Sequence, residues 1–335
     1  MSDTYDAILI LSFGGPERRD DVIPFLESVV EGKDVSRERL LAVAEHYALF
    51  DGVSPLNGQL RALIASLIDR LNAAGPSLPV YWGNRHWHPL LVDTLRAMAA
   101  DGVRRALALV TSPFGSHAGC RQYLDAIEQA RSEIGDVAPA VNKLRLFYNH
   151  PEFVEAVVER AREALDDLAE GERASAKLVF TAHSLPTAMA RASAYEAQLV
   201  ESCRLVAERL GRESWELCYQ SGSGSPGQPW LEPEVGSRIV AWHAAGDVEN
   251  LVLVPIGFLL ENMELVHDLD VEIGRLCETL GVKMVRAAAV GNHPRLVEMI
   301  RLLVEERLDP AKPRLALGSR GPSPDACPAD CCPRK

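Results

Sequence analysis

One histidine of the chain stands where an α/β protein places reactive side chains. His183 closes an apolar run and precedes a turn, in Thr181-Ala182-His183-Ser184-Leu185-Pro186. Imidazole titrates near neutral pH, so this side chain can accept and release protons or hold a metal ion. The alternative is a core histidine bonded to a backbone carbonyl. Ser184 lacks the Gly-x-Ser-x-Gly turn of a hydrolase nucleophile, so a serine hydrolase is not expected.

Three acidic residues follow a later apolar run at intervals of four residues. Glu264, Asp268 and Glu272 would lie along one face of an α-helix. Like charges at that spacing repel one another, so the row calls for a cation, and carboxylates bind hard divalent ions. A solvated acidic face is the usual alternative. Here apolar residues surround the acids, and their burial favours a functional role.

Cysteines and glycines form two further groups. The chain has seven cysteines, and three of them crowd into its end, at Cys327, Cys331 and Cys332. Thiolates at this density bind zinc or an iron–sulfur cluster, although three ligands leave a four-thiolate site incomplete, and an adventitious metal-binding tail is the alternative. The scattered thiols are predicted to be buried and reduced: Cys120, Cys203, Cys218 and Cys277. A flexible active-site loop, rather than a phosphate cradle, is predicted around Gly222, Gly224 and Gly227.

The elements that must position these residues alternate between strands and helices. Apolar runs predict strands at 7–13, 78–83, 106–113, 177–183, 215–220, 251–258 and 283–290. Amphipathic patterns predict helices at 21–30, 37–50, 57–73, 90–100, 119–134, 151–168, 195–210, 233–245, 261–280 and 294–306. This alternation is typical of the α/β class with parallel sheets.

The alternation also suggests a duplication. The stretch 9–16 and the stretch 178–186 are both strands that run into a small-residue turn and a proline, and 108–114 resembles 253–258 in the same way. We therefore predict two similar doubly wound, Rossmann-like halves at 1–145 and 146–308, with a ligand cleft between them at the strand ends. The prolines of 309–335 forbid a long helix, so this segment is predicted to be an extended appendage.

Composition and charge narrow the class of partner. The 335 residues are 47% apolar and 24% charged, which suits two globular cores, and no run is long enough for a membrane span. With 35 basic and 47 acidic residues the net charge is −12, so binding to nucleic acid or anionic lipid is not expected. The N-terminus has no basic segment of the secretory type, which favours a cytoplasmic location.

Several long motifs, in order along nearly the whole chain, resemble those of the ferrochelatase family. Among its members the sequence is most similar to coproporphyrin III ferrochelatases of the actinobacterial type that carry a C-terminal cysteine cluster. The matching stretches include Leu11-Ser12-Phe13-Gly14-Gly15-Pro16-Glu17, Gly52-Val53-Ser54-Pro55-Leu56-Asn57, Gly119-Cys120-Arg121-Gln122-Tyr123, Thr181-Ala182-His183-Ser184-Leu185-Pro186 and Pro229-Trp230-Leu231-Glu232-Pro233.

The resemblance implies insertion of Fe(II), as substrate, into a porphyrin with release of two protons, in haem biosynthesis. His183 matches the family's proton acceptor or iron ligand, Glu264 its partner acid, and Asp268 and Glu272 the row that delivers metal. We expect the imidazole and the carboxylate to come from opposite halves and to converge on the middle of the tetrapyrrole. The resemblance places Phe13, Ser54 and Tyr123 against the porphyrin. Tyr47 is a further candidate contact, and Arg121 is a candidate for binding the porphyrin carboxylates, because an acidic chain needs local cationic groups there.

The resemblance also implies a [2Fe–2S] cluster held by Cys327, Cys331 and Cys332. In relatives with such a cluster the fourth cysteine lies in the helix after a His-Pro step, but the corresponding helix here, 151–158, contains no cysteine. The fourth ligand is therefore unidentified. Relatives also often carry an acid followed by a histidine where this chain has Glu261-Asn262, a departure that would bear on metal delivery.

Alternatives remain open from the sequence. The porphyrin could be protoporphyrin IX, or the metal could be cobalt or nickel and the ring another tetrapyrrole. A non-catalytic haem or porphyrin carrier is the alternative from another class of protein. The sequence leaves the oligomeric state open, and a haem-acceptor protein is a further expected partner.

Overall fold

The computed structural model describes residues 4–222, 228–328 and 330–333. These residues form two four-stranded parallel sheets, with the strand orders β2-β1-β3-β4 and β6-β5-β7-β8. The strands are β1 (Ala7–Ser12), β2 (Val80–Asn84), β3 (Arg105–Val110), β4 (Ala140–Lys143), β5 (Lys177–His183), β6 (Glu216–Gln220), β7 (Asn250–Val254) and β8 (Lys283–Arg286). The second sheet thus repeats the order of the first, as the predicted duplication requires.

Helices separate the strands. They are α1 (Val22–Val30), α2 (Arg37–Ala48), α3 (Pro55–Ala74), α4 (Leu91–Ala100), α5 (Gln122–Ile134), α6 (Pro151–Asp166), α7 (Glu170–Ser175), α8 (Thr187–Arg191), α9 (Tyr195–Leu210), α10 (Val235–Ala244), α11 (Met263–Leu265), α12 (Gly274–Leu280) and α13 (Pro294–Leu308). Two π-helical segments, His117–Arg121 and Val266–Ile273, lead directly into α5 and α12. A short 3₁₀ turn, Arg19–Asp21, precedes α1.

The inner strands are largely buried because helices cover both faces of each sheet. Every residue of β1 and β7 is buried. Apolar side chains of helices pack on these strands: α4 and α5 contribute to the core of the first sheet, and α10 and α12 to that of the second. This two-sided burial is the physical reason for continuous apolar strands in a parallel sheet.

The chain divides into two units that are both discontinuous in sequence. The first unit contains Met1–Thr111, Gln122–Arg145 and Ile300–Arg314; the second contains Ser112–Arg121, Leu146–Met299 and Leu315–Lys335. The first π-helix, which precedes α5, therefore belongs to the second unit together with the C-terminal tail. None of the helices in the described ranges is long and apolar enough to cross a bilayer.

Three details of the sequence prediction were wrong. Strand β4 was missed because it is short, half-buried and carries Asn142 and Lys143, so it lacks a strand-like pattern. Helices α7 and α8 were missed because each spans only about one turn. The helices predicted at 119–134 and 261–280 contain the π-helical segments, which change the side-chain register.

Candidate active site

His183 is the last residue of β5, where the ends of three parallel strands meet. Its Nδ1–H donates to the carbonyl oxygen of Ser184, and Nε2 is thereby left to face Glu264. The phenol of Tyr195, on α9, donates to the backbone carbonyl of His183 at 3.0 Å. The ring is thus held on one side by the backbone, and its second nitrogen points to the acidic residues that follow β7.

Glu264 approaches this imidazole from the neighbouring strand of the same sheet. Its Oε1 lies 3.2 Å from Nε2 of His183. The side chain sits on α11, which begins where Asn262 Oδ1 accepts from the backbone N–H of Leu265 at 2.9 Å. Because β7 and β5 are adjacent, both groups belong to the second unit. The expectation that they come from opposite halves of the duplicated scaffold was wrong.

The acidic row after Glu264 lies on a π-helix rather than on the expected α-helix. In this register residues five apart come close along one face as well as residues four apart. His267, Asp268 and Glu272 each offer a ligand atom, and these atoms lie within 4.8 Å of one another. His267 was missed in the sequence because an α-helix turns it away from the acidic row.

Ser221 lies close to both Glu264 and Asp268 of this polar row. Its hydroxyl donates to Oδ2 of Asp268, and the same side chain is close enough to Glu264 to lower the pKa of that carboxyl. Ser221 follows β6 with a φ of 62°, a left-handed conformation that turns its side chain to the row. The predicted glycine loop begins here; Gly222 is described, whereas Gly224 and Gly227 lie outside the described residues.

The His183–Glu264 pair is electrostatically coupled. Burial lowers the pKa of His183, but the charge and the hydrogen bond of Glu264 outweigh this effect and raise the pKa to about 9. Burial raises the pKa of Glu264, but His183 and Ser221 outweigh it, so the pKa falls below its usual value. Near neutral pH the pair is therefore an imidazolium beside a carboxylate.

The pKa of Asp268 shifts in the opposite direction from that of Glu264. Burial raises the pKa of this carboxyl, the hydrogen bond from Ser221 opposes the rise, and the negative charge of Glu264 adds to it. Two neighbouring carboxylates thus differ in proton affinity, because only Glu264 has the imidazolium beside it. A divalent cation near Asp268 would relieve the repulsion between the two charges.

The Glu261-Asn262 departure has a structural explanation. Oε1 of Glu261 accepts from the Arg286 guanidinium at 2.9 Å and from the backbone N–H of Ala289 at 2.8 Å. Asn262 caps α11, as described above. These two residues position Glu264 by holding the start of its helix.

Four of the residues expected to contact porphyrin lie in the first unit. Phe13 and Tyr47 pack around Phe25, with ring centroids 6.1 Å from it in both cases. Ser54 begins α3 and accepts from the backbone N–H of Leu56 at 3.4 Å. Gly15 permits this arrangement, because a Cβ there would lie 2.7 Å from the Cβ of Ser54.

Tyr123, the fourth of these residues, is buried against a guanidinium. The Cζ atom of Arg85 lies 4.9 Å from the centroid of the Tyr123 ring and 5.9 Å from that of Phe13. His86 stacks beside Phe13 at 4.6 Å, and burial together with the charge of Arg85 lowers the pKa of His86 to about 4. Arg85 and His86 were missed, although the stretch containing Arg85 lies directly after β2. The fifth predicted contact, Arg121, closes the first π-helix in the second unit.

A family model described as ferrochelatase matches residues 5–308. The chain belongs to the ferrochelatase family. The predicted enzyme class, a lyase that inserts metal into a porphyrin in haem synthesis, is therefore confirmed. A ferrochelatase of Rhodopirellula baltica is 52% identical over 328 residues, which cover 98% of this chain and 93% of that protein.

Relatives named coproporphyrin III ferrochelatase also match over most of the chain. That of Frankia alni is 49% identical over 339 residues, which cover 98% of this chain and 86% of that protein. That of Streptomyces griseus is 44% identical over 353 residues, with coverages of 99% and 94%. Ferrochelatases of this group are thus similar to the chain from β1 into the tail.

Solved chelatase structures share the fold. SirB from Bacillus subtilis with Fe3+ superposes with a TM-score of 0.56 at 13% identity, over 93% of this chain and 99% of that one. The sirohydrochlorin chelatase SirB in complex with cobalt gives a TM-score of 0.54, also at 13% identity and with the same coverages. At such identities the likeness concerns the fold alone, and it confirms the predicted pair of doubly wound halves for this member of the ferrochelatase family.

The cysteines of the tail lie together. Sγ of Cys331 is 3.4 Å from Sγ of Cys332, and the Cys327 side chain hydrogen-bonds to Cys331. Cys332 is buried, and the other two are half-buried. None of the seven cysteines, all within the described ranges, forms a disulfide. The donor set of three neighbouring thiols, two of them partly shielded, suits a soft-metal or iron–sulfur site.

Proposed function

We propose that the protein inserts Fe(II) into coproporphyrin III, with His183 and Glu264 as the reacting pair and Asp268 and Glu272 as the route for the metal. The observation that carries the residue roles is the 3.2 Å approach of the His183 imidazole to the Glu264 carboxylate at the ends of adjacent strands. The names of relatives that are 44% and 49% identical support the choice of porphyrin.

The charge state of the pair suits an exchange of protons for metal. In the free protein His183 holds a proton at neutral pH, because its pKa is about 9. Fe(II) carries the same sign of charge and suits an imidazole nitrogen with carboxylate oxygens, so its arrival displaces that proton. Once the metal has left the imidazole for the porphyrin ring, the imidazole nitrogen can again accept a pyrrole proton.

The proton balance of the reaction follows from the same contacts. Insertion breaks two pyrrole N–H bonds and forms bonds from the ring nitrogens to iron. One proton goes to Nε2 of His183, and the second leaves through Glu264 and the Ser221–Asp268 row toward water. Three ligand atoms within 4.8 Å, from His267, Asp268 and Glu272, support a waiting position for the metal on this same row.

Anaerobic iron insertion compared between coproporphyrin III and protoporphyrin IX tests the proposal. We expect a higher kcat/KM with coproporphyrin III. His183→Ala should reduce insertion to the non-enzymatic rate while porphyrin binding, followed by porphyrin fluorescence, is retained. His243→Ala is the matched control, because His243 is exposed on α10 of the same unit.

Each alternative has its own outcome in this assay. A preference for protoporphyrin IX overturns the substrate, and faster insertion of cobalt or nickel overturns the metal. Tight haem binding without turnover would indicate a carrier. Insertion by His183→Ala above the non-enzymatic rate overturns the role of the imidazole.

We also propose that Cys327, Cys331 and Cys332 hold three positions of a [2Fe–2S] cluster, which would crosslink the tail. Their mutual contacts support this assignment. Anaerobically purified protein should contain iron and acid-labile sulfide and show visible charge-transfer bands; their absence contradicts the assignment. A cytoplasmic location and a haem-acceptor partner stay predictions from the sequence.

A further inference from the structure

A four-thiolate cluster requires one more cysteine than the tail supplies. Helix α6, where related proteins place that ligand, contains no cysteine in this chain. Four other cysteines remain. Cys218 and Cys277 are fully enclosed in the apolar core of the second sheet, and Cys203 lies on α9, where its thiol is close to Tyr219.

Cys120 differs from these three because its chain segment is joined to the tail. It lies on the first π-helix, and the segment Ser112–Arg121 groups with the tail in the second unit although α5, directly after it, belongs to the first. The ring of His117 makes the connection: its Nδ1 lies 3.2 Å from the carbonyl oxygen of Cys332. A carbonyl can only accept, so Nδ1–H is the donor.

The thiol of Cys120 is itself near the tail cysteines. Cys331 interacts electrostatically with both Cys332 and Cys120, which places all these sulfurs in one neighbourhood. Cys120 is 4% exposed and Cys332 is 7% exposed. A largely dry environment of this kind protects an iron–sulfur cluster from water and oxidants.

The backbone around Cys120 is held firmly. The N–H of Gly119 donates to the hydroxyl of Ser116 at 2.8 Å. A Cβ at Gly119 would lie 2.6 Å from the hydroxyl oxygen of Ser112 and 3.1 Å from the carbonyl oxygen of Phe114, so the turn favours glycine there. The position of Cys120 is thus set before any metal binds, as a rigid ligand position should be.

We propose that Cys120 is the fourth thiolate ligand of the cluster held by Cys327, Cys331 and Cys332. This inference rests on the cluster proposed above. Each of the four thiols loses its proton on ligation, and the two ferric ions and two sulfides of the oxidised cluster complete the site. His117 is a positioning residue: its hydrogen bond to the Cys332 carbonyl brings the tail to the π-helix. The cluster would then fasten the tail to the segment between β3 and α5.

Two complementary variants of the full-length chain test the assignment. Cys120→Ala removes the proposed ligand. The triple variant Cys203→Ala, Cys218→Ala, Cys277→Ala leaves Cys120 and the three tail cysteines as the whole set of thiols. Iron, acid-labile sulfide and the electron paramagnetic resonance (EPR) spectrum after dithionite reduction are measured for each, and folding is checked by circular dichroism.

The wild type must first show two irons and two sulfides per chain. If it holds neither, the cluster and this inference are both overturned, whereas the proposed iron insertion is judged separately by its own assay. With a cluster present, we expect Cys120→Ala to lose iron and sulfide and the triple variant to keep both with unchanged g values. A Cys120→Ala chain with the wild-type cluster, or a folded triple variant without one, overturns the inference.

Pulsed EPR of the reduced wild type adds a readout that needs no substitution. Ligation by four cysteines predicts no strongly coupled ¹⁴N nucleus. The nearest competing ligand on the same segment is His117, and its imidazole would give such a coupling. A strong nitrogen coupling therefore overturns Cys120 as the fourth ligand even if Cys120→Ala fails to fold.

Discussion

Replacing Glu264 with glutamine should lower the pKa of His183 from about 9 to 6.5 or below. Burial lowers this pKa, and the charge and hydrogen bond of Glu264 are the strongest effects that raise it. Glutamine keeps the size of the side chain and removes its charge, so burial is then opposed only by hydrogen bonds and by the weaker charge interaction with Asp268.

The magnitude follows from the two pKa values. At pH 7.5 a group with a pKa of about 9 is about 97% protonated, whereas one with a pKa of 6.5 is about 10% protonated. The substitution therefore converts an imidazolium into a largely neutral imidazole without touching the ring. The pH dependence of metal binding that comes from displacing this proton should accordingly move from around pH 9 to around pH 6.5 or below.

Nuclear magnetic resonance of the imidazole groups measures this shift directly. The chain has nine histidines, and His183→Ala identifies the signal of interest. Glu278→Gln, an exposed acid on α12, is the matched control and should leave the titration unchanged. A wild-type His183 pKa near 6.5, or the same value in wild type and Glu264→Gln, would falsify the electrostatic account of the pair.

The same shift predicts a pH-dependent contribution to stability. The folded pKa of His183 lies above its unfolded value of 6.5, so the stabilisation is fully present below pH 6.5 and is lost as the pH rises through about 9. The difference in free energy of unfolding between wild type and Glu264→Gln should shrink over that interval. A difference that grows with pH there would contradict the sign.

Three further predictions concern other contacts. Glu306→Ala should lower the free energy of unfolding by about 3–5 kcal/mol in urea titrations, because it removes the carboxylate from an ion pair with Arg145 whose side chains are 0% and 4% exposed. A loss under about 1 kcal/mol contradicts this. Gly257→Ala should lower the free energy of unfolding by about 1–3 kcal/mol in the same assay and reduce turnover, because the new Cβ would lie 2.6 Å from Ala182, which precedes His183 on β5. Wild-type stability contradicts this. Asp268→Asn should raise KM for Fe(II) about tenfold in steady-state kinetics with KM for porphyrin unchanged, and equal changes in both would argue against metal delivery.

The parallel-sheet architecture was predictable because its signals are local. A strand covered on both faces must be apolar throughout, as β1 and β7 are, and this pattern is visible in the sequence. Strand β4 was not predictable, because a short, half-buried strand carries no comparable pattern. Its pairing with β3 is decided by neighbours distant in sequence.

The candidate site likewise contains features that were visible in the sequence and others that were not. The position of His183 at a strand end and the row that begins at Glu264 were visible as residue types and spacings. The π-helical register that brings His267 into the row was not, because it depends on how residues 263–280 pack on the second sheet. Ser221 was also missed as a link, since its hydrogen bond to Asp268 spans 47 positions of the chain.

The sequence by itself determined which groups could do chemistry: one imidazole after an apolar strand, a series of carboxylates and a cluster of thiols. Only the tertiary structure decided their partners and their charge. It brought His183 within 3.2 Å of Glu264, which raises the histidine pKa to about 9, and it joined the segment of Cys120 to the tail. The physical reason is that backbone propensity and apolar periodicity act between near neighbours, whereas burial and Coulomb interactions depend on distances that are fixed only when remote segments pack together.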